Sequence, residues 1–175
     1  PLLFGGAQQR SIRPGTLPTA LCVGLGEACQ LIGELRSSDR KHLESLRATL
    51  LQRLKSALGD GIELNGEDAP HIPGCLSLTF KGIEAEDLLH ELPGLALSTG
   101  SACSSTSGEP SHVLKAMGRS AIDIAGTIRL GIGRPTTEAE IQCAADQIIE
   151  AYLRLRAREG VGENLGNSKH QNGMS

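Results

Sequence analysis

Three features of the sequence predict an α/β fold, α+β in its layering, with one small mixed sheet covered by helices. Apolar residues recur at helical spacing in several segments. Two short segments, Cys75–Phe80 and Ile128–Ile132, alternate with the period of a strand. The elements follow in the order α, α, β, β, α, β, α, β, α, with no internal repeat, so enough helices surround the strands to cover a sheet. At 175 residues the chain is long enough for one ordinary domain. Aromatics make up 2 % of it and Trp is absent, so the core must be built from Leu, Ile, Val and Ala.

The chain opens in a Gly- and Arg-rich stretch, Leu2 to Gly15, whose composition implies a loop. Thr16 and Pro18 offer a helix start. Leu21, Leu25, Ala28, Ile32 and Leu35 then fall on one helical face that should be buried, with Gly24, Gly26 and Gly33 suited to close packing. Ser37, Ser38 and Asp39 read as a break and as caps for a second helix. Its stripe is Leu43, Leu46, Leu50, Leu54 and Ala57, ending at Gly59. Ile62–Leu64 is a short strand. In Cys75–Phe80, Leu76, Leu78 and Phe80 face one way and Cys75, Ser77 and Thr79 the other. Glu84–Leu92 reads as a short helix stopped by Pro93-Gly94, and Leu95–Leu97 as a strand. A helix with Pro110 in its first turn carries Val113, Leu114 and Met117. After the Ile128 strand, Thr137-x-x-Glu140 forms a capping box for the last helix. From Gly160 the composition turns to Gly, Asn, Ser and Gln without periodicity, as in a disordered tail.

Net charge is −3 with dispersed basic residues, which argues against direct nucleic-acid binding. No apolar run approaches the roughly 20 residues that span a bilayer, so no membrane partner is expected. Five cysteines at irregular spacing, without Cys-x-x-Cys, suit a reducing compartment, the cytoplasm or an organelle matrix, better than a disulfide framework. Cys22, Cys29, Cys75 and Cys143 lie in periodic segments and read as core filler. Cys103 differs: it sits in Ser98-Thr-Gly-Ser-Ala-Cys-Ser-Ser-Thr-Ser-Gly-Glu-Pro110, among small hydroxylated residues. A thiol there is either a reactive group on a pliable tether or an inert loop cysteine, and the first reading is preferred. Arg129 lies inside a strand with its side chain opposite to Ile128 and Leu130. Its planar fork suits a carboxylate, and an arginine on a solvated sheet face satisfies the same pattern. The histidines show no metal-ligand spacing with the cysteines, so no resident metal is expected.

Three segments together carry a family resemblance over Pro1 to about Arg158. Gly5-Gly-Ala-Gln-Gln-Arg-Ser-Ile-Arg-Pro-Gly-Thr16 resembles the Gly-Gly-Gly-x-Glu-x-x-x-Arg-(Ser/Pro)-Gly-Thr segment of cysteine desulfurases, pyridoxal-phosphate enzymes of the class V aminotransferase group. Ser98 to Gly118 is similar to that family's long catalytic-cysteine loop and following helix. Ile128-Arg-Leu-Gly-Ile-Gly-Arg-Pro-Thr-Thr-Glu138 is similar to its Ile-Arg-x-Ser-x-Gly-Arg-x-Thr-Thr-x-Glu segment. The resemblance implies the C-terminal small domain of a fold-type I pyridoxal-phosphate enzyme. Residues 1–16 would close the large cofactor domain, 17–159 would form the small domain with its linking helix, and 160–175 the tail.

It further implies that L-cysteine is converted to L-alanine while its sulfur passes to Cys103 as a persulfide. An acceptor protein such as an iron–sulfur scaffold would then take the sulfur, with Cys103 its transient contact to iron–sulfur chemistry. Arg129 would bind the substrate carboxylate, and Thr16 the cofactor phosphate of the opposite subunit in a homodimer. Ala7, Gln9 and Gly131 depart from the family's Gly, Glu and Ser. None of Lys41, Lys55, Lys81, Lys115 or Lys169 stands in the Ser-x-His-Lys context of the family's Schiff-base lysine, so a fragment inactive on its own is expected. A selenocysteine lyase and a non-catalytic persulfide relay are the alternative readings.

Overall fold

The structure is a computed structural model that describes residues 4–99 and 110–168, with side chains through Arg158. Its backbone divides into two units, one through Arg40 and one from Lys41 onward. The division falls inside the first helix, where burial begins only in the second half.

The helix in question, α1 (Thr19–Leu58), is continuous. The expected break at Ser37–Asp39 does not occur. Ser38 Oγ donates to the Leu35 carbonyl at 2.9 Å, so this hydroxyl is satisfied within the helix instead of capping a new one. In the first unit no described residue is buried. Leu21, Leu25 and Ile32, expected to face inward, are 74, 67 and 56 % exposed. Nothing lies within 4 Å of where a Cβ would project from Gly24, Gly26 or Gly33, so the close packing expected of them is absent among the described residues.

The second unit contains the whole described core. Its sheet comprises β1 (Ile62–Leu64), β2 (Cys75–Phe80), β3 (Ser98–Thr99) and β4 (Thr127–Gly131), in the order β1-β2-β4-β3. All three pairings are antiparallel, which corrects the expectation of a mixed sheet. β4 inserts between β2 and β3 and runs opposite to both. Leu76, Leu78 and Phe80 of β2 join Ile128 and Leu130 of β4 on one face. They are closed over by Leu46, Leu50 and Leu54 of α1 and by Ile141, Ala145 and Ile148 of the last helix. At about 1.5–3 kcal/mol per fully buried aliphatic side chain, this single cluster dominates the stability of the unit.

Close backbone contacts fix the ends of the sheet. A Cβ on Gly126 would stand 2.5 Å from the Phe80 carbonyl oxygen, and one on Gly74 2.5 Å from that of Ile132. Both positions therefore admit only glycine without a shift of backbone. The one tyrosine, Tyr152, donates to the Lys81 carbonyl at 2.9 Å and packs its ring 5.8 Å from that of Phe80.

The connecting helices are short: α2 (Ala85–His90), α3 (His112–Ala116) and α4 (Ala121–Ala125). The strand expected at Leu95–Leu97 begins at Ser98 instead. Leu95 and Leu97 amides bond back to Leu92 and Leu95 carbonyls, which spends those residues on a turn. α3 starts after Ser111, whose hydroxyl accepts from the Leu114 amide, and not at Pro110. α5 (Glu138–Ser168) begins with the expected box: Glu140 accepts from the Thr137 amide at 2.7 Å, and Thr137 Oγ1 accepts from the Glu140 amide at 3.3 Å. Its backbone continues past Gly160, where the tail was expected, to Ser168. Once anchored, a helix gains one hydrogen bond for each residue it adds, and so extends into weak sequence.

Candidate functional site

The sheet has two unlike faces. The face opposite the core is hydroxyl-rich: Cys75, Ser77 and Thr79 of β2 lie beside Gly131, Arg129 and Thr127 of β4. One end of this face is closed. Thr79 and Thr127 are fully buried, their hydroxyls 2.8 Å apart, and Thr127 Oγ1 donates to the Asp123 carbonyl of α4 at 2.6 Å. The other end is open. Arg129 is exposed, and a Cβ placed on Gly131 beside it would meet nothing within 4 Å.

Arg129 projects opposite to Ile128 and Leu130, as its strand position predicts. Its guanidinium makes no hydrogen bond or ion pair with the described residues. Its two cross-strand partners are Ser77 on β2 and Ser98 on β3. Directly opposed residues on one sheet face hold their Cβ atoms about 5 Å apart. Among the described residues Arg129 is thus an unpaired cation between two hydroxyl side chains, an arrangement of donors that matches a carboxylate.

Ser98 and Thr99 also form the last described residues before the segment that bears Cys103. That cysteine lies outside the described residues, as do Ser101 and Ser104. On the far side the chain resumes at Pro110 and is fixed by the α3 cap. His112, on the first turn of α3, is exposed.

Thr16 lies in the first unit, in a loop with unusual backbone. Gln9, Arg10 and Ser11 have φ of 48, 56 and 59°, three consecutive left-handed non-glycine residues. Such conformations cost on the order of 1–3 kcal/mol each and concentrate at binding and catalytic loops. Gln8 Oε1 accepts from the Gly15 amide at 3.2 Å, and Arg13 Nη1 donates to the carbonyls of Gly15 and Thr16, each at 3.2 Å. The Thr16 hydroxyl has no partner among the described residues, and the neighbouring arginine adds positive charge, so the loop suits one edge of a phosphate. The described lysines do not suit a covalent cofactor. Lys41, Lys55, Lys81 and Lys115 are all exposed, and Lys55 and Lys81 are ion-paired to Glu67 and Glu63.

Of the cysteines read as core filler, Cys22, Cys29 and Cys143 are exposed and Cys75 is half-buried. Among the described residues, no group of His, Cys, Asp and Glu is arranged to hold a metal ion, and no helix is long and apolar enough to cross a membrane. A groove of about 380 Å³ opens between Leu95–Leu97, the end of β4 and the start of α5; the only polar side chains among its lining residues are Thr136 and Glu140. It offers apolar contact and no nucleophile. The residue that sequence reasoning passed over is Ser77. It was assigned to the right face of its strand, but its opposition to Arg129 depends on register.

Comparison with known proteins gives a consistent result. The profile of the family described as Aminotransferase class-V matches residues 6–143. Cysteine desulfurase of Mus musculus is 45 % identical over 162 residues, which is 93 % of this chain and 35 % of the mouse protein. The chain therefore spans about a third of the length of this curated relative. A NifS-like protein from Rickettsia africae superposes with a TM-score of 0.76 at 23 % identity, over 87 % of this chain and 39 % of that one. A second NifS-like protein gives 0.71 at 30 % identity, over 86 % of this chain and 38 % of the other.

Proposed function

The chain belongs to the aminotransferase class-V family, and on that premise we propose that the full-length protein is a pyridoxal-phosphate-dependent cysteine desulfurase with Cys103 as its nucleophile. The observation that carries the reading is the pairing of Ser98 with Arg129. It sets Ser98, the base of the segment that bears Cys103, beside a guanidinium of the polar sheet face that has no partner among the described residues.

Arg129 holds the carboxylate of L-cysteine and so fixes which end of the substrate approaches the cofactor. When bound, pyridoxal phosphate acts as an electron sink for the amino acid and makes its carbon–sulfur bond labile. Cys103, as thiolate, attacks the substrate sulfur. The new S–S bond forms as the Cβ–S bond breaks, the electron pair returns to Cβ, and a proton added there leaves L-alanine. The persulfide on Cys103 then passes to an acceptor protein, of which an iron–sulfur scaffold is one kind. A Gly- and Ser-rich tether suits a sulfur that must serve two destinations. Thr16 supplies a hydroxyl to the cofactor phosphate of the opposite subunit, which makes the working form a homodimer. The cofactor-bonding lysine comes from outside these 175 residues.

The test is the full-length protein with pyridoxal phosphate and L-cysteine, followed by alanine release and by the mass of the Cys103 peptide. Stoichiometric alanine and a gain of one sulfur atom are expected, both lost in Cys103→Ser. The 175-residue chain alone should give neither. Alanine production by that chain alone, abolished by Cys103→Ala, would overturn the assignment of the lysine to another part of the protein.

A further inference from the structure

We infer that Ser77 is a second substrate-binding residue, donating its hydroxyl proton to the carboxylate that Arg129 anchors. The inference rests on the reading of Arg129 given above and adds a donor that composition and spacing do not reveal.

The direction of a hydrogen-bond chain decides the donor; its central link, Thr79 to Thr127, is buried and its outer links are half-buried. Asp123 O is a carbonyl and can only accept, so Thr127 Oγ1, 2.6 Å away, must donate to it. With its one proton so committed, Thr127 can only accept from Thr79, 2.8 Å away. Thr79 has then used its own proton and can only accept from Asn65, 2.9 Å away. This sets Asn65 Nδ2 toward the strand and leaves its buried Oδ1 without a partner among the described residues. The second Nδ2 hydrogen points to Ser77 Oγ at 3.3 Å. Ser77 therefore receives a hydrogen bond and keeps its own proton. No described residue accepts that proton, and Ser77 stands directly across from Arg129 on the open part of the polar face.

Reversing the amide would break the chain. Asn65 Oδ1 would take the protons of both Ser77 and Thr79, leaving Thr127 with two acceptors for one proton. The chain thus presents a hydroxyl donor beside a guanidinium, both without an acceptor among the described residues, and the ligand class that uses both is a carboxylate. Asn65, Thr79 and Thr127 are positioning residues that act through Ser77.

The full-length protein tests this. Ser77→Ala is expected to raise KM for L-cysteine about tenfold or more, the usual effect of losing a hydrogen bond to a charged group, with kcat within about twofold. Ser77→Thr restores the hydroxyl and should restore KM. Thr127→Val leaves Ser77 and Arg129 in place but frees the Asn65 amide to turn and capture the Ser77 proton. It should raise KM by a similar factor and add nothing to Ser77→Ala in the double variant. A readout independent of turnover is the Kd of 3-mercaptopropionate, a thiol carboxylate without an amino group, measured by calorimetry on the cofactor-free protein. That Kd should rise in Ser77→Ala and in Thr127→Val. If Arg129→Ala weakens cysteine and 3-mercaptopropionate while Ser77→Ala changes neither, this inference falls and the proposed function stands. A full-length protein with no cysteine turnover would remove both.

Discussion

The two halves of α1 carry similar apolar stripes and have opposite surroundings. Leu21, Leu25 and Ile32 in the first half are 74, 67 and 56 % exposed, whereas Leu46, Leu50 and Leu54 in the second are 4, 1 and 0 % exposed. Spacing determines which residues share a helix face; it does not supply the layer that covers that face. Within the second unit, the sheet and α5 cover the second half. The cooperative structure should accordingly lie in the second unit, and the first half of α1 should contribute little to it.

The largest expected effect compares Leu54→Ala with Leu25→Ala in the 175-residue chain. Removing Leu54 empties a fully buried site and should cost about 2–5 kcal/mol in urea unfolding, against less than about 0.5 kcal/mol for Leu25. Equal losses would erase the distinction between the halves. A smaller contrast concerns the helix starts. Thr137→Ala should cost about 1 kcal/mol because its side chain caps α5, whereas Thr19→Ala, whose hydroxyl reaches only the Leu17 carbonyl at 3.5 Å, should be nearly neutral. The smallest effect is a pH dependence. Hydrogen bonds from the Thr137 amide and then the Thr137 hydroxyl hold the Glu140 carboxyl below its ordinary 4.5. A carboxylate lowered in the folded state stabilises above its unfolded value, and that contribution disappears as pH falls through the folded one. The Tm advantage of wild type over Glu140→Gln should therefore be complete above pH 4.5 and shrink below it. An advantage that persisted in stronger acid would show that Glu140 acts through packing and not through charge.

Much of the second unit was legible because its signals are local. Period-two alternation located β2 and β4, and the Thr137–Glu140 box located the start of α5. The misses have equally specific causes. Ser37-Ser38-Asp39 looked like a cap, but Ser38 bonds back within its own helix. α4 was not anticipated although Ser120, which accepts from the Asp123 amide, offered a capping signal. The candidate site was legible in its members and not in its arrangement. Arg129 and the loop after Ser98 could each be picked out by residue type, but their pairing is a matter of long-range register, which a one-residue slip would change. Ser77 stayed hidden for the same reason.

The sheet's outer strands carry a last consequence. Among the described residues β1 offers three and β3 two, and a strand that short is a poor template for a neighbour's backbone. The uncovered leucines and isoleucine of α1 are, by contrast, adhesive to other apolar surfaces. Any clumping of this chain should therefore proceed by helices adhering side to side. The resulting particles would keep a helical circular-dichroism spectrum and lack the 4.7–4.8 Å cross-β spacing of amyloid.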